Sequence, residues 1–195
     1  MTYGTTDGIP IMAIKPTIYK FTIMVSDFNR DYYEALALTV AQHPSETTER
    51  MMVRVLAFCL QSQEGISFTK GLSAPDEPDL WVNTLDGQLM SWIDVGEPAV
   101  DRIKKATRRA QNTSVYSFNS KSDSWWLKHQ NDLATLNVSV YQFQWEQVQP
   151  LALLVERTLS ASLTISDHVI QFSTEKADCE LTLKVLQKSA AKSAK

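Results

Sequence analysis

Pro78-Asp79-Leu80-Trp81-Val82-Asn83-Thr84-Leu85-Asp86-Gly87-Gln88-Leu89-Met90-Ser91-Trp92-Ile93-Asp94-Val95 is two apolar runs separated by Asp-Gly. That dipeptide between such runs is a strong signal for a tight hairpin. If Asp86-Gly87 is a two-residue turn, opposed residues have numbers summing to 173. Leu85 then faces Gln88, Trp81 faces Trp92, and Asp79 faces Asp94. The two acids become cross-strand neighbours on one face, with Cβ atoms ~5 Å apart, where like charges are unfavourable. A cation, a shared proton or solvent at the strand ends must offset them. A divalent cation is the functional answer, because paired oxygen ligands suit Mg²⁺ or Mn²⁺. Solvated hairpin ends are the plain structural answer, and spacing leaves both open.

Upstream, Tyr19, Phe21, Ile23 and Val25 alternate within Thr17 to Ser26, which predicts a strand. Asp31 to Ala41 reads as a short helix with Asn29 as a cap. His43-Pro44-Ser45-Glu46 opens a longer helix to about Gln63, capped by Ser45. Met52, Val55, Leu56 and Cys59 give that helix one apolar stripe, with Glu46, Glu49, Arg50 and Arg54 off it. Ile66 to Leu72 reads as a strand.

Downstream, Glu97-Pro98 opens a helix through about Gln111. It carries Arg102, Lys104, Lys105, Arg108 and Arg109. This crowding points either to phosphate contacts or to a solvated face with cations near the C-terminal end. Lys104 and Lys105 lie early enough in the helix to reach back toward the acids. A strand at Ser114 to Asn119, a helix at Ser122 to Leu133, a strand at Asn137 to Phe143 and a helix at Trp145 to Glu156 follow. Strict alternation then begins at Leu159. Three strands, at 159–166, 169–173 and 179–185, form an antiparallel meander expected to pair with the N-terminal strand.

The 195-residue chain has ordinary globular composition, 44% hydrophobic and 21% charged. It reads as one domain over 1–195, with 1–14 an N-terminal extension and 188–195 a frayed basic tail. A net charge of −3 rules out a surface built wholly for nucleic acid, so any basic patch is local. Cys59 and Cys179 lack metal spacing and sit in apolar runs, as buried thiols of a reducing compartment do. No apolar run reaches the ~18 residues of a membrane span, and no signal peptide is evident. A cytoplasmic, monomeric protein without a membrane partner is the expectation. His43, His129 and His168 are isolated. No phosphate loop, nucleophile elbow or Cys-x-x-Cys is present.

HPSETTERMMVRVLAF (43–58), FTKGLSAPDEPDLW (68–81), WIDVGEP (92–98), RIKKA (102–106) and YSFNSKSDSWW (116–126) resemble, in order and spacing, the YaeQ family. The resemblance runs from about Lys15 to Leu186. It implies a restriction-endonuclease-like α/β core, a mixed β-sheet flanked by helices, with the meander added. In that superfamily a Pro-Asp … Asp/Glu-x-Lys motif holds Mg²⁺ through two acids, and a lysine aids the attacking water. Pro78-Asp79 matches the first element and Asp94 the second. Position 96, where lysine is expected, is Gly96, and Lys104 is the candidate replacement. Glu49 is a candidate third acid, with Asp76 and Glu77 as alternates. The resemblance thus implies a Mg²⁺- or Mn²⁺-dependent phosphodiesterase acting on DNA or RNA. Asp79 and Asp94 hold the metal in this reading, Lys104 and Glu49 assist, and Arg102, Lys104, Lys105 and Arg108 contact phosphates. The alternative is a non-catalytic member that binds nucleic acid or a protein through the basic helix.

Overall fold

The computed structural model describes residues 15–74 and 76–189. The N-terminal extension and residues 190–195 of the expected tail lie outside them. Ten strands form one mixed sheet in the order β2-β1-β8-β9-β10-β7-β6-β5-β4-β3, with four α-helices among the described residues.

β1 (Thr17–Asp27) and β2 (Tyr32–Gln42) form a regular antiparallel hairpin, Thr17 opposite Gln42 through Asp27 opposite Tyr32. The helix expected at 31–41 is therefore a strand. Leu36, Leu38 and Val40 recur every second residue and turn inward, while Ala35, Ala37, Thr39 and Ala41 are exposed. The alanines favour a helix locally, but pairing with β1 and burial of the alternate leucines override that weak preference.

α1 (Thr48–Leu60) starts later than expected. Its cap is Thr47, whose hydroxyl oxygen accepts the Arg50 N–H at 3.3 Å. A single apolar stripe was the expectation. Instead Met51 through Cys59 are buried without interruption, as in a helix covered on all sides. The sheet supplies the cover by curling around the helix into a nearly barrel-shaped wall with β2 and β3 as its open edges. One core cluster joins α1 to Phe21, Ile23, Leu38 and Val40 from one end of the sheet and to Leu80, Ile93 and Tyr116 from the other. α4 (Trp145–Leu153) adds Val148 and Leu151 to the same cluster.

β3 (Ile66–Phe68) stops four residues short of the expected strand, and a 3-10 turn occupies Gly71–Ser73. β4 (Leu80–Asn83) and β5 (Leu89–Val95) keep the expected register: Leu80 faces Ile93, Trp81 faces Trp92 and Val82 faces Ser91. The turn is wider than two residues. An irregularity follows Val82, Thr84 N–H donates to the Gln88 carbonyl at 3.0 Å, and Gly87 N–H donates to the Thr84 carbonyl at 2.9 Å. Leu85 consequently projects into solvent rather than facing Gln88.

β5, β6 (Asn112–Ser117) and β7 (Ser139–Phe143) run parallel, joined by α2 (Val100–Arg109) and α3 (Ser122–Leu133). α2 and α3 cover the other face of these strands, where Ile103, Val115, Leu133 and Val140 form a second cluster. The meander of β8 (Thr158–Ser166), β9 (Val169–Thr174) and β10 (Asp178–Gln187) is antiparallel as expected. β8 pairs with β1 in parallel, and β10 pairs with β7, so the meander lies in the middle of the sheet and joins the β1–β2 hairpin to the β7–β3 half.

Candidate functional site

The register places Asp79 and Asp94 at one end of the β4–β5 pair. Asp79 N–H donates to the Ile93 carbonyl at 3.0 Å, and the two acids are only 4% and 2% exposed. Buried carboxylates need partners, and each here receives an arginine. Arg50 Nη2 lies 2.7 and 2.9 Å from the two oxygens of Asp79, and Val95 N–H donates to Oδ2 at 2.7 Å. Arg102 donates to Asp94 through Nη2 at 2.8 Å and Nε at 3.0 Å, and Trp92 Nε1 donates at 3.0 Å. Paired contacts of this kind are the strong form of the ion pair.

The network continues into α1. Arg50 Nη1 donates to Glu46 at 2.8 Å. Arg54, 2% exposed, donates to both oxygens of Glu46 at 2.8 and 2.7 Å. Three arginines thus interleave with three acids, and their charges cancel. Burial opposes the charge on Arg50, but Asp79 and Glu46 together outweigh it and hold the guanidinium protonated. At Asp94 burial dominates. It pushes the carboxyl above its usual range, Arg102 and Trp92 offset part of that rise, and Asp79 adds to it.

Both acids line a cleft of about 420 Å³ with Arg50, Glu77, Glu97 and Arg102. It opens at the carboxyl ends of β5 and β6, where open α/β sheets take their ligands. Glu97 accepts the N–H groups of Phe118 and Asn119 and the Ser122 hydroxyl, which ties the β5–α2 connection to the start of α3.

Lys104, expected beside the acids, turns outward: its Nζ lies 3.9 Å from Asp101, and its side chain is 44% exposed. Glu49 is half-buried at the start of α1, but Glu46 and Arg50 are the residues of that segment in the network. Asp76 and Glu77 accept through their backbone carbonyls, from Arg109 at 3.1 Å and Arg102 at 2.7 Å. Arg102, expected to meet phosphates, faces the cleft. Arg102 and Arg109 lie over the Trp92 ring, at 5.6 and 5.1 Å from its centroid. Lys105 and Arg108 are exposed. The contributions of Glu46, Arg50 and Arg54 escaped the sequence reading. Their spacing of four, from just before α1 into the helix, was the available signal.

Among the described residues no group of three or more His, Cys, Asp or Glu side chains is placed to hold a metal ion. The donor set for Mg²⁺ is two carboxylates, each already paired with an arginine, so a divalent cation would enter only by displacing Arg50 and Arg102. Both cysteines are buried, and burial pushes the Cys59 thiol up to about 12, so neither is a poised nucleophile. No helix among the described residues is long and apolar enough to cross a membrane.

Fold and site together define a class: mixed α/β proteins with a curled ten-stranded sheet and a buried arginine–carboxylate network at a strand-end cleft. Within it, this chain belongs to the YaeQ family, whose sequence model, described as YaeQ protein, matches residues 12–183. It is 38% identical over 178 residues to the uncharacterized protein YaeQ of Escherichia coli (strain K12), covering 90% of this chain and 98% of that one. The YaeQ relative from Salmonella typhi is 39% identical over the same length, with the same coverage. The crystal structure of YaeQ protein from Xanthomonas axonopodis pv. citri superposes with a TM-score of 0.86 at 35% identity, over 89% of this chain and 99% of that one. That of YaeQ protein from Pseudomonas syringae gives 0.85 at 34% identity, over 89% and 97%.

Proposed function

We propose that this chain binds nucleic acid through the outward face of α2, as a non-catalytic member of its fold. One observation carries the reading. α2 packs Ile103 and Ala106 inward and turns Lys104, Lys105 and Arg108 outward, while the neighbouring buried acids are already neutralised by arginines. The positive field of that face is therefore not cancelled by Asp79 and Asp94, and phosphates of a nucleic-acid backbone are its natural counter-ions. The cleft itself repels phosphate, because four carboxylates line it against two guanidiniums.

That same excess of acids favours a second reading. A restriction-endonuclease-like phosphodiesterase would place Mg²⁺ or Mn²⁺ between Asp79 and Asp94. Magnesium often uses only one or two carboxylates and takes its remaining ligands from water and substrate phosphates. Here it must first free the acids from Arg50 and Arg102.

Fluorescence anisotropy with labelled single- and double-stranded DNA and RNA separates the two. Binding without metal is expected, weakening with salt at a log–log slope of about −3 on duplex for three phosphate contacts. It should be lost in the triple variant Lys104→Glu, Lys105→Glu, Arg108→Glu. No binding at low salt, or binding untouched by the triple variant, rules out the α2 reading. Cleavage that needs Mn²⁺ and disappears in Asp94→Asn establishes the second.

A further inference from the structure

The two edges of the sheet are unlike. β3, at one edge, has three residues, a length that offers little to pair with. β2, at the other, has eleven, with no register shift against β1, no proline, no lysine or arginine, and Glu34 as its one charge. Natural sheets blunt their edges with short strands, charges, prolines or bulges. β2 uses one acid near its start and none of the others.

The direction of its free backbone groups follows from bonds elsewhere. Lys20 N–H donates to the Arg157 carbonyl at 2.8 Å, and Phe28 N–H to the Ile165 carbonyl at 3.0 Å. The even-numbered residues of β1 therefore address β8, and the odd-numbered ones address β2. Their opposites, Glu34, Leu36 and Leu38, exchange the bonds within the hairpin. Tyr33, Ala35, Ala37, Thr39 and Ala41 must point both N–H and C=O away from β1. Arg54 takes the Ala41 carbonyl at 2.9 Å, which confirms that direction. The four remaining residues have exposed side chains, three of them small, so a second backbone can approach.

We infer that β2 is a self-association edge and that its occupant is β2 of a second copy of this chain, antiparallel about a two-fold axis. One register uses all four free residues and leaves Ala41 to Arg54: opposed numbers sum to 72. Tyr33 then meets Thr39 of the second copy, and Ala35 meets its Ala37, each pair repeated by symmetry. Every pair exchanges two backbone bonds. Glu34 falls opposite Leu38 rather than opposite its own counterpart, so the single charge does not oppose itself. Tyr33, 54% exposed in the single chain, packs beside Thr39 across the seam.

Light scattering coupled to size exclusion, on the full chain over a concentration range, tests this. A dimer is the expected species. Ala37→Pro removes an N–H that faces only the seam, so it should give a folded monomer with an unchanged circular dichroism spectrum. Should that variant fail to fold, Ala35→Lys with Ala37→Lys decides, since it leaves the backbone intact and sets like charges opposite one another across the axis. A wild-type monomer up to high-micromolar concentration would overturn the inference. A dimer that survives the lysine pair would do the same.

Discussion

At position 96 the backbone adopts φ +108°, a conformation that residues with a Cβ rarely take. Nothing lies within 4 Å of where a Cβ would stand, so the obstacle to a lysine there is the main chain and not crowding. Gly96→Lys should therefore lower stability by ~1–3 kcal/mol, read as a reduced urea midpoint, rather than complete a catalytic set. Asp94 sets a pH dependence. Its folded carboxyl titrates above the ordinary value of 3.8. Between 3.8 and that raised value the unfolded chain has lost the proton and the folded chain keeps it. Fewer protons bound in the unfolded state means stability falls as pH rises through this window. Urea midpoints of the wild type minus those of Asp94→Asn should decline from about pH 4 upward and then level off. A rising difference would contradict the burial-dominated carboxyl. The acid pair was legible in the sequence because Asp-Gly marks the hairpin, and the irregularity after Val82 offsets the wider turn, so the expected register returns by Val82 and Ser91. The arginines that close it were not, since nothing local says that Arg50 reaches Asp79 across 29 residues or that Arg102 bends back to Asp94.

Elements were legible where burial is one-sided. α3 runs over the expected residues, and the alternation of β1, β8 and β9 reads directly as strand. The misreadings fall where a neighbour supplies what the segment lacks. β2 is alanine-rich and becomes a strand only because β1 lies beside it. α1 reads as amphipathic because its three charged residues Glu49, Arg50 and Arg54 break the apolar pattern, yet Arg54 is enclosed with the rest. Arg54 is therefore the side chain to test at this scale. Arg54→Met fills similar space but leaves Glu46 buried with Arg50 as its remaining cation. Stability should drop by about 3 kcal/mol, the low end for breaking a buried pair, and the added change Glu46→Gln should recover part of the loss. Denaturant midpoints of the two single variants and the double variant give the coupling directly. No coupling between the two positions would mean that the α1 network contributes nothing to stability.

Over the whole molecule, the core is shared by segments from both ends of the chain. Leu159, Leu163, Ile165, Phe172 and Leu181 lie in the same cluster as Phe21, Ile23 and α1. A chain ending at Arg157 would lose β8 from the flank of β1 and β10 from the flank of β7, opening the sheet between them. Such a truncation should show neither a cooperative melt nor dispersed amide resonances. A sharp transition in the shortened chain would mean that residues 15–157 form a folded unit by themselves. The parallel β1–β8 pairing also bears on how the protein is made. Translation releases β1 early and β8 late, with residues 28–157 between them. At typical elongation rates that interval lasts roughly ten seconds. Throughout it β1 lacks its β8 neighbour, so the backbone groups that address β8 and the apolar Phe21, Ile23 and Val25 wait without their native cover, exposed to pairing with any other strand.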